Sequence, residues 1–137
     1  GQKGNYAETD YPNPLNFYAL TKLLGEYESR STRSVVVRCL FKPRPFKHDS
    51  GCTDQFTSGH YVDTIAKEIA TAVGLFDKLP PTIHIGSGRR STFQLARESR
   101  PDVKETTTER IYQETGLRLP KDTSLNTNLW ERIKNGI

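Results

Sequence analysis

The chain contains no methionine, one tryptophan and only two cysteines in 137 residues. Two cysteines build no disulfide framework, and neither Cys39 nor Cys52 has metal-ligand spacing with its neighbours. No metal site is expected, and a reducing compartment, the cytoplasm, is the expected location. No apolar run is long enough to cross a bilayer, and the opening residues lack a signal-peptide pattern, so no membrane partner is expected. A glycine at position 1 without any methionine fits either removal of an initiator or a piece excised from a longer chain. Hydrophobic residues make up 34%, low for a globular domain, and the length suits one small domain at most.

Net charge is small. Twenty Lys+Arg face 16 Asp+Glu, giving a net charge of +4. The basic residues are scattered apart from one cluster, Arg38, Lys42, Arg44 and Lys47. A scattered excess is a solvated surface, and no stripe or motif points to nucleic acid. The loop Lys42-Pro43-Arg44-Pro45-Phe46-Lys47 could instead meet an anionic small molecule such as a nucleotide diphosphate.

What is present begins with Tyr18 and Lys22. Residues four apart share a helix face, and a neighbouring ammonium favours phenolate, which makes such a tyrosine a candidate proton donor. Residues 1–13 read as loop, and Pro14 precedes a helix over about 16–30. Its apolar residues Phe17, Leu20, Leu23, Leu24 and Tyr27 form a stripe roughly 120° wide, with Tyr18 and Lys22 on the opposite side. One face should therefore be buried and the other presented.

Ser34–Phe41 is a continuous, β-branched run that predicts a buried strand with parallel neighbours. Cys39 within it is expected to be buried, whereas Cys52 falls in the polar loop 42–53. A second amphipathic helix is predicted from Gly59 or Tyr61 to Phe76, capped by Thr57 or Ser58. Val62, Ile65, Ala66, Ile69, Ala70 and Val73 should share its buried side. Thr82–Ile85 predicts a short strand, Gly86-Ser87-Gly88 an ordinary turn, and Ser91 with Gln94 a capping box for a helix to about Ser99. Residues 100–122 carry no clear period. Asn126–Asn128 should cap a last helix ending near Gly136, with Glu131 as capping-box partner of Asn128 and Trp130 as its anchor. Alternating helices and strands without an internal repeat indicate an α/β fold.

Other chemistry-bearing residues have plainer readings. Arg38 is either a strand-end charge reaching solvent or a substrate-side group. His48, His60 and His84 lack metal spacing and read as structural or surface residues. Asp54 and Asp63 suit loop and cap roles better than a paired-carboxylate site.

The stretch Glu8-Thr9-Asp10-Tyr11-Pro12-Asn13-Pro14-Leu15-Asn16-Phe17-Tyr18-Ala19-Leu20-Thr21-Lys22, continued by Leu23-Leu24-Gly25-Glu26, resembles the acidic-proline loop and Tyr-x-x-x-Lys helix of extended short-chain dehydrogenase/reductases. Within that group the chain is most similar to the C-terminal half of the dTDP-4-dehydrorhamnose reductase family. Val36-Val37-Arg38, Asp54–Ser58 with Tyr61-Val62-Asp63, His84-Ile85-Gly86 with Arg90-Ser91, and Leu119–Thr127 match in the same order.

That resemblance implies the C-terminal part of a Rossmann-like doubly wound fold, lacking the N-terminal nucleotide-binding strands. It divides the chain, as a single partial domain over 1–137, into a catalytic-helix and strand segment (1–58) and a substrate-side segment (59–137). It implies Tyr18 as proton donor to a substrate carbonyl and Lys22 on the nicotinamide ribose of NADPH or NADH. Both would be catalytic and cofactor-binding, with Arg38 on the substrate side and a nucleotide sugar as substrate.

The family's glycine-rich phosphate loop and its catalytic Ser/Thr have no counterpart here. Gly86-Ser87-Gly88 lacks the third glycine and the acidic residue downstream. The chain alone is therefore expected to bind no cofactor and to be inactive, and its bare strand edges and helix stripe to drive self-association or capture of a complementing N-terminal segment. The alternative is a non-catalytic binding or regulatory module derived from the same family.

Overall fold

The computed structural model describes residues 3–137. After a polar loop come α1 (Phe17–Ser29), β1 (Val36–Arg38), β2 (Phe41–Lys42), β3 (Ser50–Cys52), β4 (Phe56–Thr57) and β5 (His60–Tyr61). Next are α2 (Val62–Gly74), a 3₁₀ turn at Phe76–Lys78, β6 (Thr82–His84), β7 (Arg90–Ser91) and α3 (Thr92–Arg97). β8 (Lys104–Thr106), α4 (Thr108–Thr115) and α5 (Asn128–Lys134) complete the order.

The strands form four two-stranded ladders among the described residues. β1–β6, β2–β5 and β3–β8 are parallel, and β4–β7 is antiparallel. The expected single strand over 34–41 is interrupted because the chain changes partner inside it. Arg38 still pairs with β6, its carbonyl accepting from Ile85 N–H at 3.0 Å. Two residues later the Leu40 carbonyl accepts from His60 N–H at 3.1 Å, and β2 pairs with β5. β1 is half-buried, not fully buried as its composition suggests, since β6 is its one ladder partner among the described residues.

Side-chain alternation gives the β1–β6 ladder two unlike faces. Val35, Val37, Cys39, Ile83 and Ile85 face α2 and α5, where they pack with Ile65, Ala72 and fully buried Trp130. The indole N–H of Trp130 donates to Glu68 Oε2 at 2.7 Å, and Lys134 closes on the same carboxylate at 3.1 Å. The opposite face carries Arg38 and His84, which are partners in register. A second core gathers Phe46, Tyr61, Leu95, Ala96 and Val103. There the Tyr61 hydroxyl donates to the Leu95 carbonyl at 2.7 Å.

The α2 stripe is narrower than its sequence pattern. Ile65 and Ala72 are buried and Ile69 is half-buried, but Val62, Ala66, Ala70 and Val73 face outward. Glu68, held by Trp130 and Lys134, takes up part of the packed side. Neither Thr57 nor Ser58 caps this helix. Thr57 Oγ1 accepts from Gly59 N–H at 2.9 Å, and Ser58 Oγ accepts from Leu125 N–H at 2.9 Å.

The α3 capping box is present, Ser91 Oγ accepting from Gln94 N–H and Gln94 Oε1 from Ser91 N–H. The one expected for α5 is not. Asn128 is already the first helical residue, Thr127 occupies the cap position without a side-chain bond, and Glu131 pairs with Lys134 at 3.1 Å. Cys39 is half-buried, while Cys52, expected in a polar loop, is buried in β3. α3 covers β3, and the Thr92 hydroxyl bonds both Cys52 N–H and its carbonyl at 3.1 Å. Residues 100–122 hold β8 and α4. Asp54 accepts from Thr108 N–H at 2.8 Å and its hydroxyl at 2.6 Å, fixing the start of α4. Burial alone would raise the Asp54 carboxyl, but these bonds hold it below the usual carboxylate range.

Candidate active site groove

The Asn16 side chain accepts from Ala19 N–H at 2.8 Å and starts α1 just after Pro14. From that start, Tyr18, Lys22 and Glu26 follow at four-residue intervals along one side of the helix. They border an open groove of about 790 Å³ between α1, Arg38 of β1 and the N-terminal loop with Tyr6 and Tyr11. The three residues singled out by sequence, Tyr18, Lys22 and Arg38, thus line one groove. Tyr18 is 69% exposed, and Lys22 Nζ lies 5.3 Å from the centre of its ring.

Arg38 is fixed from α1. Its Nε donates to Glu26 Oε1 at 2.8 Å and its Nη2 to Glu26 Oε2 at 2.6 Å, a fork-to-fork contact. Hydrogen bonding to Glu26 raises the Arg38 pKa, with the Glu26 and Glu8 charges adding to it against partial burial. Arg38 is therefore not a strand-end charge free in solvent. Glu26 was not singled out from the sequence, although its place eight residues beyond Tyr18 puts it on the same face.

The outer wall is the N-terminal loop, joined to the far end of the chain. Tyr6 N–H donates to the Ser124 carbonyl at 3.1 Å, and Asn126 N–H donates to the Tyr6 carbonyl at 2.7 Å. Gly4 (φ +72°) lies against the buried carboxylate of Asp122, where an added Cβ would come within 2.1 Å of Asp122 Cγ. Beneath this wall, Glu8 Oε1 accepts the main-chain N–H of His84 at 3.1 Å and stands 4.0 Å from His84 Nδ1. From sequence His84 reads as a structural or surface residue; the structure buries it completely.

The expectation that α1 buries its apolar stripe fails: the helix has no buried residue, and Phe17, Leu20, Leu24 and Tyr27 are exposed. Gly86-Ser87-Gly88 serves packing: an added Cβ at Gly86 would stand 2.3 Å from the Ser58 carbonyl, which already accepts from Ser87 N–H at 2.7 Å. Among the described residues no group of three His, Cys, Asp or Glu is arranged to hold a metal ion, and no helix is long and apolar enough to cross a membrane.

The described residues thus place the Tyr18 and Lys22 helix beside the parallel β1–β6 pair of an α/β unit. No protein-family model and no curated protein matches the chain. Among solved structures it is similar to a hypothetical dTDP-4-dehydrorhamnose reductase from Sulfolobus tokodaii, with 26% identity and a TM-score of 0.73 over 97% of this chain. The dTDP-4-dehydrorhamnose reductase of Bacillus anthracis, solved in complex with NADP, shares the fold at 20% identity and a TM-score of 0.68, over 96% of this chain. That of Yersinia enterocolitica does so at 19% and 0.58, over 98% of this chain. The chain spans 54–60% of the length of these structures, consistent with the C-terminal part of their Rossmann-like fold.

Proposed function

We propose that this chain carries the proton-donor side of an NAD(P)H-dependent sugar-nucleotide ketone reductase like dTDP-4-dehydrorhamnose reductase. The observation that supports this most is that Tyr18, Lys22 and Arg38 line one open groove on an α/β unit of that fold. When bound, NADPH or NADH supplies the hydride. Tyr18 holds the proton that passes to the carbonyl oxygen, and Lys22 orients the nicotinamide ribose. Arg38, with Nε and Nη2 occupied by Glu26, keeps its remaining amino group for the nucleotide-sugar side.

A phenol and an ammonium on one open helix face suit the ribose end of the cofactor. The pyrophosphate finds no cradle at Gly86-Ser87-Gly88, whose backbone is closed against Ser58. We therefore expect the isolated chain to bind NADPH weakly or not at all and to be inactive alone. The exposed α1 stripe supports a requirement for an added segment or a second copy. Two free thiols suit a cytoplasmic setting.

The test is to mix the chain with the glycine-rich N-terminal portion of a related reductase and follow NADPH oxidation by a nucleoside-diphosphate 4-ketosugar. Turnover that needs both pieces and is lost in Tyr18→Phe is expected. Turnover that survives Tyr18→Phe, or none with any pairing that forms a complex, rejects the reading and favours a binding module.

A further inference from the structure

His84 is completely buried, and neither ring nitrogen has a hydrogen-bond partner among the described residues. Such a group is costly unless something exploits it. Its surroundings come from three parts of the chain. From the N-terminal loop, Glu8 binds the His84 main chain and approaches the ring to 4.0 Å. From β1, Arg38 is its in-register neighbour, itself backed by Glu26 of α1. The main chain at Tyr6 and Asn126 favours protonation of the ring. α2 and α5 pack on the other side of the ladder, against Ile83 and Ile85.

We propose that Glu8 and His84 are positioning residues for the groove and act as a proton-operated latch on its outer wall. With the imidazole neutral, the ring fills the space between the floor of the groove and the loop, and Glu8 anchors that loop to the main chain of β6. A proton on the ring places a charge in a site closed to water, where burial is the main cost and Arg38 adds a smaller repulsion. Glu8 and the main chain at Tyr6 and Asn126 offset only part of that cost. The ring is then driven out toward water, and the junction it fills, where Tyr6 bonds to Ser124 and Asn126, loosens. The loop carrying Tyr6 and Tyr11 releases while the β1–β6 ladder and the Trp130 core persist. Burial is the largest effect and lowers the His84 pKa; Glu8 raises it, and Arg38 opposes Glu8 with a smaller lowering. The latch operates whether or not the groove reduces a carbonyl.

Amide hydrogen exchange on the intact chain, corrected for the intrinsic pH dependence of exchange and read beside the imidazole NMR titration of His84, tests this. Tyr6 and Asn126 amides should lose at least tenfold protection between pH 7 and pH 5, in step with His84 titration, while Ile83 and Ile85 amides do not. Glu8→Gln keeps an acceptor for His84 N–H but removes the charge, so the step should move to lower pH. A passive packing role for Glu8 would not produce that shift. His84→Gln should remove the step. Loss of protection that ignores His84 titration, an unshifted step in Glu8→Gln, or an unchanged step in His84→Gln overturns the latch. If His84→Gln does not fold, the wild-type and Glu8→Gln curves decide alone.

Discussion

Glu26 grips Arg38 through both carboxylate oxygens, at 2.8 and 2.6 Å, and so fastens α1 to β1. Both side chains are mostly shielded, at 22% exposure for Arg38 and 18% for Glu26. Lysine offers no planar fork, so Arg38→Lys should lose about 1.5–3 kcal/mol, as expected for hydrogen bonds to charged groups. Arg38→Met together with Glu26→Met should recover much of the loss, because no charge is left unpaired. Urea unfolding of the two single Met variants and the double gives the coupling, and additive losses would show that the contact contributes nothing.

In the complemented assay, Tyr18→Phe should reduce turnover by about 10²–10⁴-fold, the usual contribution of a positioned proton donor. Lys22→Met should raise the KM for NADPH as well as lower kcat, since it is assigned to the ribose. A kcat effect without any KM effect would place Lys22 elsewhere in the chemistry.

Stability should depend on pH in two stages. Burial holds folded His84 and His60 below the ordinary value of 6.5. Between the folded and unfolded values the unfolded chain binds more protons, so stability is complete above about pH 6.5 and falls as the pH drops toward the folded values. Asp54 and Asp122 are held below 3.8, by Thr108 and by Ser124 with Arg89 respectively, against the opposing effect of burial. Their contribution is complete above about pH 3.8 and is lost only in stronger acid. Urea midpoints measured from pH 7 to pH 3 should show both declines, and His84→Gln should flatten the first.

Gly86 and Gly88 make a matched pair. An added methyl at Gly86 meets the Ser58 carbonyl at 2.3 Å, whereas one at Gly88 meets nothing within 4 Å. Gly86→Ala should cost about 1–3 kcal/mol, as overpacking does. Gly88→Ala should be neutral, and equal thermal midpoints for the two variants would contradict the close approach at Ser58.

The α1 stripe is expected to associate. Light scattering should show mass rising with concentration, and Leu20→Glu with Leu24→Glu should restore the monomer. A wild-type monomer at high concentration would show that the stripe is tolerated in water.

Local rules made much of this legible. Pro14, Ser91 and the 3.6-residue period located α1, α2 and α3 to within a few residues, and Tyr18, Lys22 and Arg38 are candidates from sequence that line the groove. What failed depends on distant partners. The run 34–41 contains no residue that breaks a strand; it is interrupted because the Arg38 carbonyl accepts from Ile85 and the Leu40 carbonyl, two residues on, accepts from His60. Cys52 sits among polar residues and is buried only because α3 lies over β3. Glu8 and His84 are 76 residues apart, and only the folded chain brings them together.

The bond from Asn5 N–H to the Ser124 hydroxyl joins residues 119 positions apart, and the Tyr6 bonds beside it span a similar distance. Contacts that close so long a loop carry a large entropic cost before they return any binding energy. The helices and the short capping turns can form first, each from neighbours in sequence. The groove's outer wall can close only after the last segment of the chain has docked, so it should be the slowest feature to appear on refolding and the first lost when either end frays.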